Sequence, residues 1–129
     1  VVFSGMGDVG CIWKSGEDEK VQILFAASKN RGGTWSSPVA LGATAKGRPD
    51  WPQLALLPGG DVLASWEASL EGAETVFLSR SSDGGASWGD STKISPAEAL
   101  AFASGTSDQG LLAAYQHPRD GRIHLLVLK

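Results

Sequence analysis

The arginines are the side chains of this sequence best suited to holding a ligand. A guanidinium is a planar fork that grips a carboxylate through two parallel hydrogen bonds, and the chain carries five of them: Arg31, Arg48, Arg80, Arg119 and Arg122. Metal chemistry finds no support in the spacing. His117 and His124 have no Cys, Asp or Glu partner at a recognised ligand interval, and the single cysteine, Cys11, excludes both a multi-cysteine zinc site and an internal disulfide. Its neighbours Val9, Ile12 and Trp13 make Cys11 read as a small buried hydrophobe. No motif calls for a cofactor. Asp120-Gly121 is first of all a hairpin turn, whose flanking Arg119 and Arg122 can be offered to an anion, and Glu17-Asp18-Glu19 reads as a solvated loop tip.

Any such residues must be positioned by strands. In 129 residues there are 17 glycines, six prolines and five tryptophans, a composition of tight turns joined by segments that bury large rings. Helix is hard to place anywhere. A net charge of −3 with a pI near 5.2 offers no basic stripe for nucleic acid or for a membrane surface. No run approaches the ~20 apolar residues that cross a bilayer, and Val1 to Gly5 lacks the basic and apolar regions of a signal peptide.

The strands repeat. A shift of 53 residues lays Gly7-Asp8-Val9 on Gly60-Asp61-Val62, Trp13 on Trp66, Ser28 on Ser81, Gly32 on Gly85 and Trp35 on Trp88. A further 49 residues lays Asp61 to Trp66 on Gly110 to Tyr115. A period near 50 built from short strands matches a four-stranded propeller blade better than a helical repeat. In the second copy the strands read as Gln53 to Leu57, Val62 to Ala68, Thr75 to Ser79 and Ser87 to Ile94, bounded by glycine-rich breakers. The same ruler starts the chain inside the first strand of one blade and stops it one residue short of the third copy's turn. It therefore predicts a piece of a longer chain, with blades at about 1–44, 45–96 and 97–129, the third lacking its last strand.

Two turns share the pattern Ser-x-Asp/Asn-x-Gly-x-Ser/Thr-Trp: Ser28, Asn30, Gly32, Thr34 and Trp35, and Ser81, Asp83, Gly85, Ser87 and Trp88. The short Asp or Asn can accept backbone N–H groups inside the turn, the glycine can take φ > 0, and the hydroxyls can tie the strand ends together. The tryptophan is expected to pack in the hydrophobic layer of its own blade. This pattern resembles the Asp-box, or bacterial neuraminidase repeat, of sialidase-like propellers. The resemblance implies an all-β fold, a β-propeller of four-stranded antiparallel blades, six-bladed when complete, of which this chain holds two nearly complete blades and three strands of a third. It also suggests a secreted or periplasmic setting.

In such propellers the substrate site lies on the face away from the Asp-boxes, here Lys14 to Lys20, Gly42 to Trp51, Ser69 to Glu74, Ser95 to Glu98 and His117 to Arg122. Arg31 and Arg80 belong to the Asp-box end, which leaves Arg48, Arg119 and Arg122 as ligand-binding candidates. Sialidases use three arginines, a tyrosine nucleophile activated by a glutamate, and an aspartic acid as general acid. By that likeness the catalytic candidates are Asp50, Glu67 and Tyr115. Two departures count against catalysis: Asp50 stands where an arginine of the family pattern belongs, and Tyr115 occupies the repeat position of the packing residues Trp13 and Trp66. The reading is a segment that is non-catalytic as it stands, a scaffold or a binder of glycan or protein. The alternative is a fragment of an exo-sialidase completed by residues outside it. The expected partners are a glycan or sialoside and, through uncovered apolar faces, further copies of the chain itself.

Overall fold

The computed structural model describes residues 2–5, 8–17, 20–41, 47–57, 59–70, 73–93, 102–107, 110–116 and 120–128, with backbone alone for 2–5, 70, 73, 74, 102–107, 110–116, 124 and 126–128. Eleven strands account for most of them: β1 (Val2–Gly5), β2 (Asp8–Ser15), β3 (Gln22–Ser28), β4 (Val39–Leu41), β5 (Arg48–Leu56), β6 (Val62–Leu70), β7 (Ala73–Ser81), β8 (Thr92–Lys93), β9 (Phe102–Ser107), β10 (Gly110–Gln116) and β11 (Ile123–Leu128). No α-helix occurs among the described residues. The chain is all-β.

The strands form three antiparallel sheets in sequential order, β1-β2-β3-β4, β5-β6-β7-β8 and β9-β10-β11. None of them closes on itself. Each is a meander in which a short turn returns the chain to the edge of the strand just laid down, which antiparallel pairing permits and parallel pairing does not. The 53-residue offset carries over to the pairing: Trp13 lies opposite Leu24 in the first sheet as Trp66 lies opposite Phe77 in the second.

Strand β6 shows why these residues take this form. Side chains alternate across a strand, so Ala64, Trp66 and Ala68 point to one side and Leu63 and Ser65 to the other, and all five are buried. A strand covered on both faces has lost the polar-out alternation of a surface strand. On one side lies the main core, where Ile12, Ile23, Phe25 and Leu41 of the first sheet meet Ala64, Trp66 and Ala68 of the second. On the other, Leu63 joins Ala55 and Leu57, with Leu78 packed against them. The first two sheets therefore stack face to face across an apolar seam. Removing the Trp66 side chain is expected to cost about 3–5 kcal/mol.

All four strands of the second copy differ in their limits from those expected: β6 runs on to Leu70 and β7 spans Ala73–Ser81, each longer than expected, and the two outer strands differ most. Strand β5 begins at Arg48, five residues before the expected Gln53, because a β-bulge between Asp50 and Gln53 lets pairing with β6 resume beyond Trp51 and Pro52. Strand β8 is reduced to Thr92–Lys93, because Ser87 and Trp88 are held in the preceding turn by bonds to Asp83 and Gly85. Ile94 lies outside the described residues.

Two apolar expectations also need correction. Cys11 is half-buried rather than buried, and Trp35 is 46% exposed rather than packed within its own sheet. Both sit on the side of the first sheet opposite to the one that the second sheet covers. The equivalent tryptophan, Trp88, packs against the core shared by the first two sheets and meets Phe25 of the neighbour ring edge to ring face, with centroids 5.0 Å apart.

Candidate functional site

The two Ser-x-Asp/Asn-x-Gly-x-Ser/Thr-Trp turns and the β5–β6 turn lie at one end of the sheets. Their bonds are internal. Gly32 N–H and Gly85 N–H each donate to the first serine of their own turn, Ser28 or Ser81, over 2.8 Å. Ser28 Oγ–H donates to Asn30 Oδ1 over 2.9 Å, and Ser81 Oγ–H to Asp83 Oδ1 over 2.8 Å. Thr34 N–H and Ser87 N–H reach the same side-chain oxygens over 2.8 and 2.9 Å. The second hydroxyl closes each ring: Asn30 Nδ2 donates to Thr34 Oγ1 over 3.0 Å, whereas Ser87 Oγ–H donates to Asp83 Oδ2. Those donors, the Ser87 hydroxyl first, hold the Asp83 carboxyl down at a pKa of about 2. A carboxylate held ionised by so many donors has no proton to give near neutral pH. Arg80, at the same end, donates from Nε to Asp61 Oδ2 over 2.6 Å, so Asp61 is tied to a cross-strand partner as well as to its turn.

The opposite end carries different chemistry. There β5 starts with Arg48-Pro49-Asp50-Trp51-Pro52, beside the ends of β2 and β6 and the start of β7. Gly47 makes the entry possible. At φ +117° it lies so close to β6 that a Cβ would stand 2.2 Å from the Ser69 carbonyl oxygen, so any side chain would push the two strands apart. Asp50 then falls opposite Glu67 in the register, which sets the two acidic side chains on one face of the sheet. From the first sheet Lys14 reaches across, its Nζ donating to Asp50 Oδ2 over 2.8 Å.

Trp51 is the unusual residue. It has φ +49°, a left-handed backbone that costs a bulky side chain about 1–2 kcal/mol. It also precedes a proline, a position biased toward extended backbone. The ring is 70% exposed, so burial cannot be what offsets the strain. What fixes the conformation is local: Trp51 N–H donates to Asp50 Oδ1 over 2.9 Å, and the bulge supplies the extra residue that the turn consumes. Asp50 thus uses one oxygen to set the Trp51 backbone and the other to hold Lys14. The Lys14 hydrogen bond, the Trp51 N–H and the positive charges of Lys14 and Arg48 keep its carboxyl below the ordinary value against a smaller effect of burial.

The residues singled out in the sequence separate accordingly. Arg48, Asp50 and Glu67 come together at this end, on strands β5 and β6, and Arg48 and Asp50 lie in a strand rather than in the expected loop. As a general acid Asp50 is mismatched, since that role needs a carboxyl raised toward neutrality and this one is lowered. Arg122 is exposed and its N–H donates to Asp120 Oδ1 over 2.9 Å in a turn whose Gly121 has φ +65°. Tyr115 lies on β10 between Phe102 and His124, its side chain outside the described residues, as are Arg119 and His117. Among the described residues no three His, Cys, Asp or Glu side chains gather as metal ligands do. Trp51 and Lys14 fell within the face expected to carry the site, but the sequence reading gave neither of them a role. The one available signal was a tryptophan before proline in an otherwise polar stretch.

No family model matches this sequence, and no curated protein matches it. Among solved structures it is similar to a protein of unknown function from Dyadobacter fermentans DSM 18053, with a TM-score of 0.73 over 99% of this chain. The likeness is one of fold. Sequence identity is 23%, and the chain spans 36% of that protein's length.

Proposed function

We propose that the chain is a segment of a sialidase-like Asp-box β-propeller, six-bladed when complete, and that the Trp51 end of its second blade binds a glycan without catalysing its hydrolysis. The sequential four-stranded sheets, the 53-residue repeat and the two serine-bracketed turns support the propeller. The observation that carries the binding role is Trp51. A large ring presented to solvent on a strained backbone is held there by its surroundings, and such strain gathers at functional positions. Its flat face suits the C–H face of a sugar ring, while Asp50, next to it in the chain, Lys14 bonded to Asp50, Glu67 across the register and Arg48 on the same strand bring to this end groups that hydrogen-bond hydroxyls.

The lowered Asp50 carboxyl favours binding over hydrolysis, because no proton is poised there for a leaving group. A panel of immobilised glycans probed with the wild-type chain and with Trp51→Ala tests the reading. Binding that falls at least tenfold in Trp51→Ala, with Trp35→Ala unchanged, supports it. No bound glycan, or binding indifferent to Trp51, overturns it. Turnover of a fluorogenic sialoside would show that the non-catalytic part of the proposal is wrong.

A further inference from the structure

The second sheet makes an ion pair of which the first sheet keeps only half. In the second, Asp61 precedes β6, Arg80 lies on β7 opposite Leu63, and Arg80 donates from Nε over 2.6 Å and from Nη2 to Asp61 Oδ2. Shifted back by 53 residues, Asp61 becomes Asp8, Leu63 becomes Gly10 and Arg80 becomes Ala27. The register is the same, with Gly10 opposite Ala27. The carboxylate is therefore retained while the guanidinium and the leucine beside it are gone, and among the described residues no hydrogen bond or ion pair reaches the Asp8 carboxylate. Asp8 and Gly10 share a side of β2 with Ile12, which meets the second sheet. Beside them a hollow of about 280 Å³ opens between the two sheets, with Asp8 and Ala27 on one wall, Leu56 and Val62 on the other, and Asp83-Gly84 at its end. The two small residues leave the room that a leucine and an arginine take up in the second sheet.

We infer that this hollow binds a guanidinium group carried on a short alkyl chain, an arginine side chain above all, with Asp8 as its anchor. The second sheet is the template, since there the same carboxylate at the same register position holds a guanidinium that the chain itself provides. Ala27, Leu56 and Val62 offer an apolar path for the alkyl stem, and the planar fork matches a carboxylate in a way that an ammonium does not. The charges agree in sign. Asp83 is held ionised at the end of the hollow and adds a second negative charge, while Lys29, which also lines it, is exposed and long enough to keep its ammonium in water. The volume stands at the lower limit of small-molecule pockets, roughly 300–1,000 Å³, which suits one side chain or one compact molecule. Both walls come from the first two sheets, so the site needs no further sheet to complete it. It lies at the end away from Trp51 and does not depend on the glycan-binding proposal.

An NMR titration of the chain with n-propylguanidinium, followed at the backbone amides of Ala27 and Val62, tests this. Binding is expected with a Kd on the order of 1 mM, as suits a ligand of few atoms. Propylurea, of the same shape without the charge, and propylammonium, with the charge but no fork, should each bind at least about tenfold more weakly. Asp8→Asn should weaken propylguanidinium binding by about tenfold or more. Ala27→Arg, checked for retained fold by circular dichroism, rebuilds the arrangement of the second sheet within the first and should abolish binding. A blocked tripeptide with a central arginine that binds as tightly as propylguanidinium identifies the natural ligand as a peptide side chain, and one that fails to bind identifies it as a free guanidine. No shift at Ala27 or Val62 up to about 20 mM propylguanidinium overturns the inference. Binding that Asp8→Asn or Ala27→Arg leaves unchanged, or propylammonium bound as tightly as propylguanidinium, overturns it equally.

Discussion

Gly85 is where the turn of one sheet touches the next, and replacing it with alanine should separate steric cost from conformational cost. The added Cβ would lie 2.1 Å from Phe25 Cε1 and 2.4 Å from Cζ, against the 3.5–4.0 Å at which carbon atoms rest in contact. Phe25 cannot easily retreat, being fully buried with Trp88 against its ring. Overpacking of this kind costs about 1–3 kcal/mol, and holding alanine at the observed φ of +94° adds about 1–2 kcal/mol. Gly85→Ala should therefore lose about 2–5 kcal/mol in urea unfolding, with a fall in Tm of about 10 °C or more. Gly84→Ala is the control, since Gly84 has φ +71° and no atom within 4 Å of its added Cβ, leaving only the conformational part. Shortening the ring with Phe25→Leu should return part of the Gly85→Ala loss, a coupling that a double-mutant cycle reads directly. Equal losses for Gly84→Ala and Gly85→Ala, or a Gly85→Ala loss unchanged in the Phe25→Leu background, would refute the reasoning.

Other expectations follow from single atoms. Asp83 has a folded-state pKa of about 2 against an ordinary value of 3.8. Its contribution to stability is therefore complete above about pH 4 and is lost as pH falls toward 2, and Asp83→Asn should flatten that part of a plot of urea midpoint against pH. The variant should stay folded at pH 7, because Asn30 already performs the same task in the first turn. Among the described residues no hydrogen bond reaches the buried Thr75 Oγ1, so Thr75→Val should be neutral or stabilising by about 1 kcal/mol in thermal unfolding. Arg31 has φ +57° at the repeat position of Gly84, so Arg31→Gly should raise the free energy of urea unfolding by up to about 1 kcal/mol, relieved strain exceeding the entropy gained by the unfolded chain.

The strand content was legible because it repeats: two copies of Ser-x-Asp/Asn-x-Gly-x-Ser/Thr-Trp mark the same turn, and the spacing between them sets the sheet. What the repeat cannot encode is position in the stack. Trp35 and Trp88 stand in identical motifs, yet one is exposed and the other docks on Phe25, because only the second has a neighbouring sheet beside it. The Trp51 site was hidden for a related reason. Residues 42–51 read as a loop between two blades from the repeat ruler, and nothing in that reading singles out Trp51. The bulge and the left-handed Trp51 emerge only once β5 pairs with β6 and Asp50 meets Lys14, 36 positions earlier in the chain. Sequence distance conceals such a contact, since the salt bridge joins residues of different repeats.

That salt bridge has a consequence for how the site can be inherited. Lys14 comes from one unit, and Asp50 with Trp51 from the next, so no single unit contains the whole arrangement. Duplicating the second unit elsewhere would copy Trp51 without its anchoring lysine unless the new neighbour happened to supply one. Sheets built on this repeat can therefore be shuffled, multiplied or exchanged without loss of architecture, while the Lys14–Asp50–Trp51 arrangement persists only where two particular units remain adjacent and in order. The proposed binding surface belongs to a junction, and its history is that of the pair.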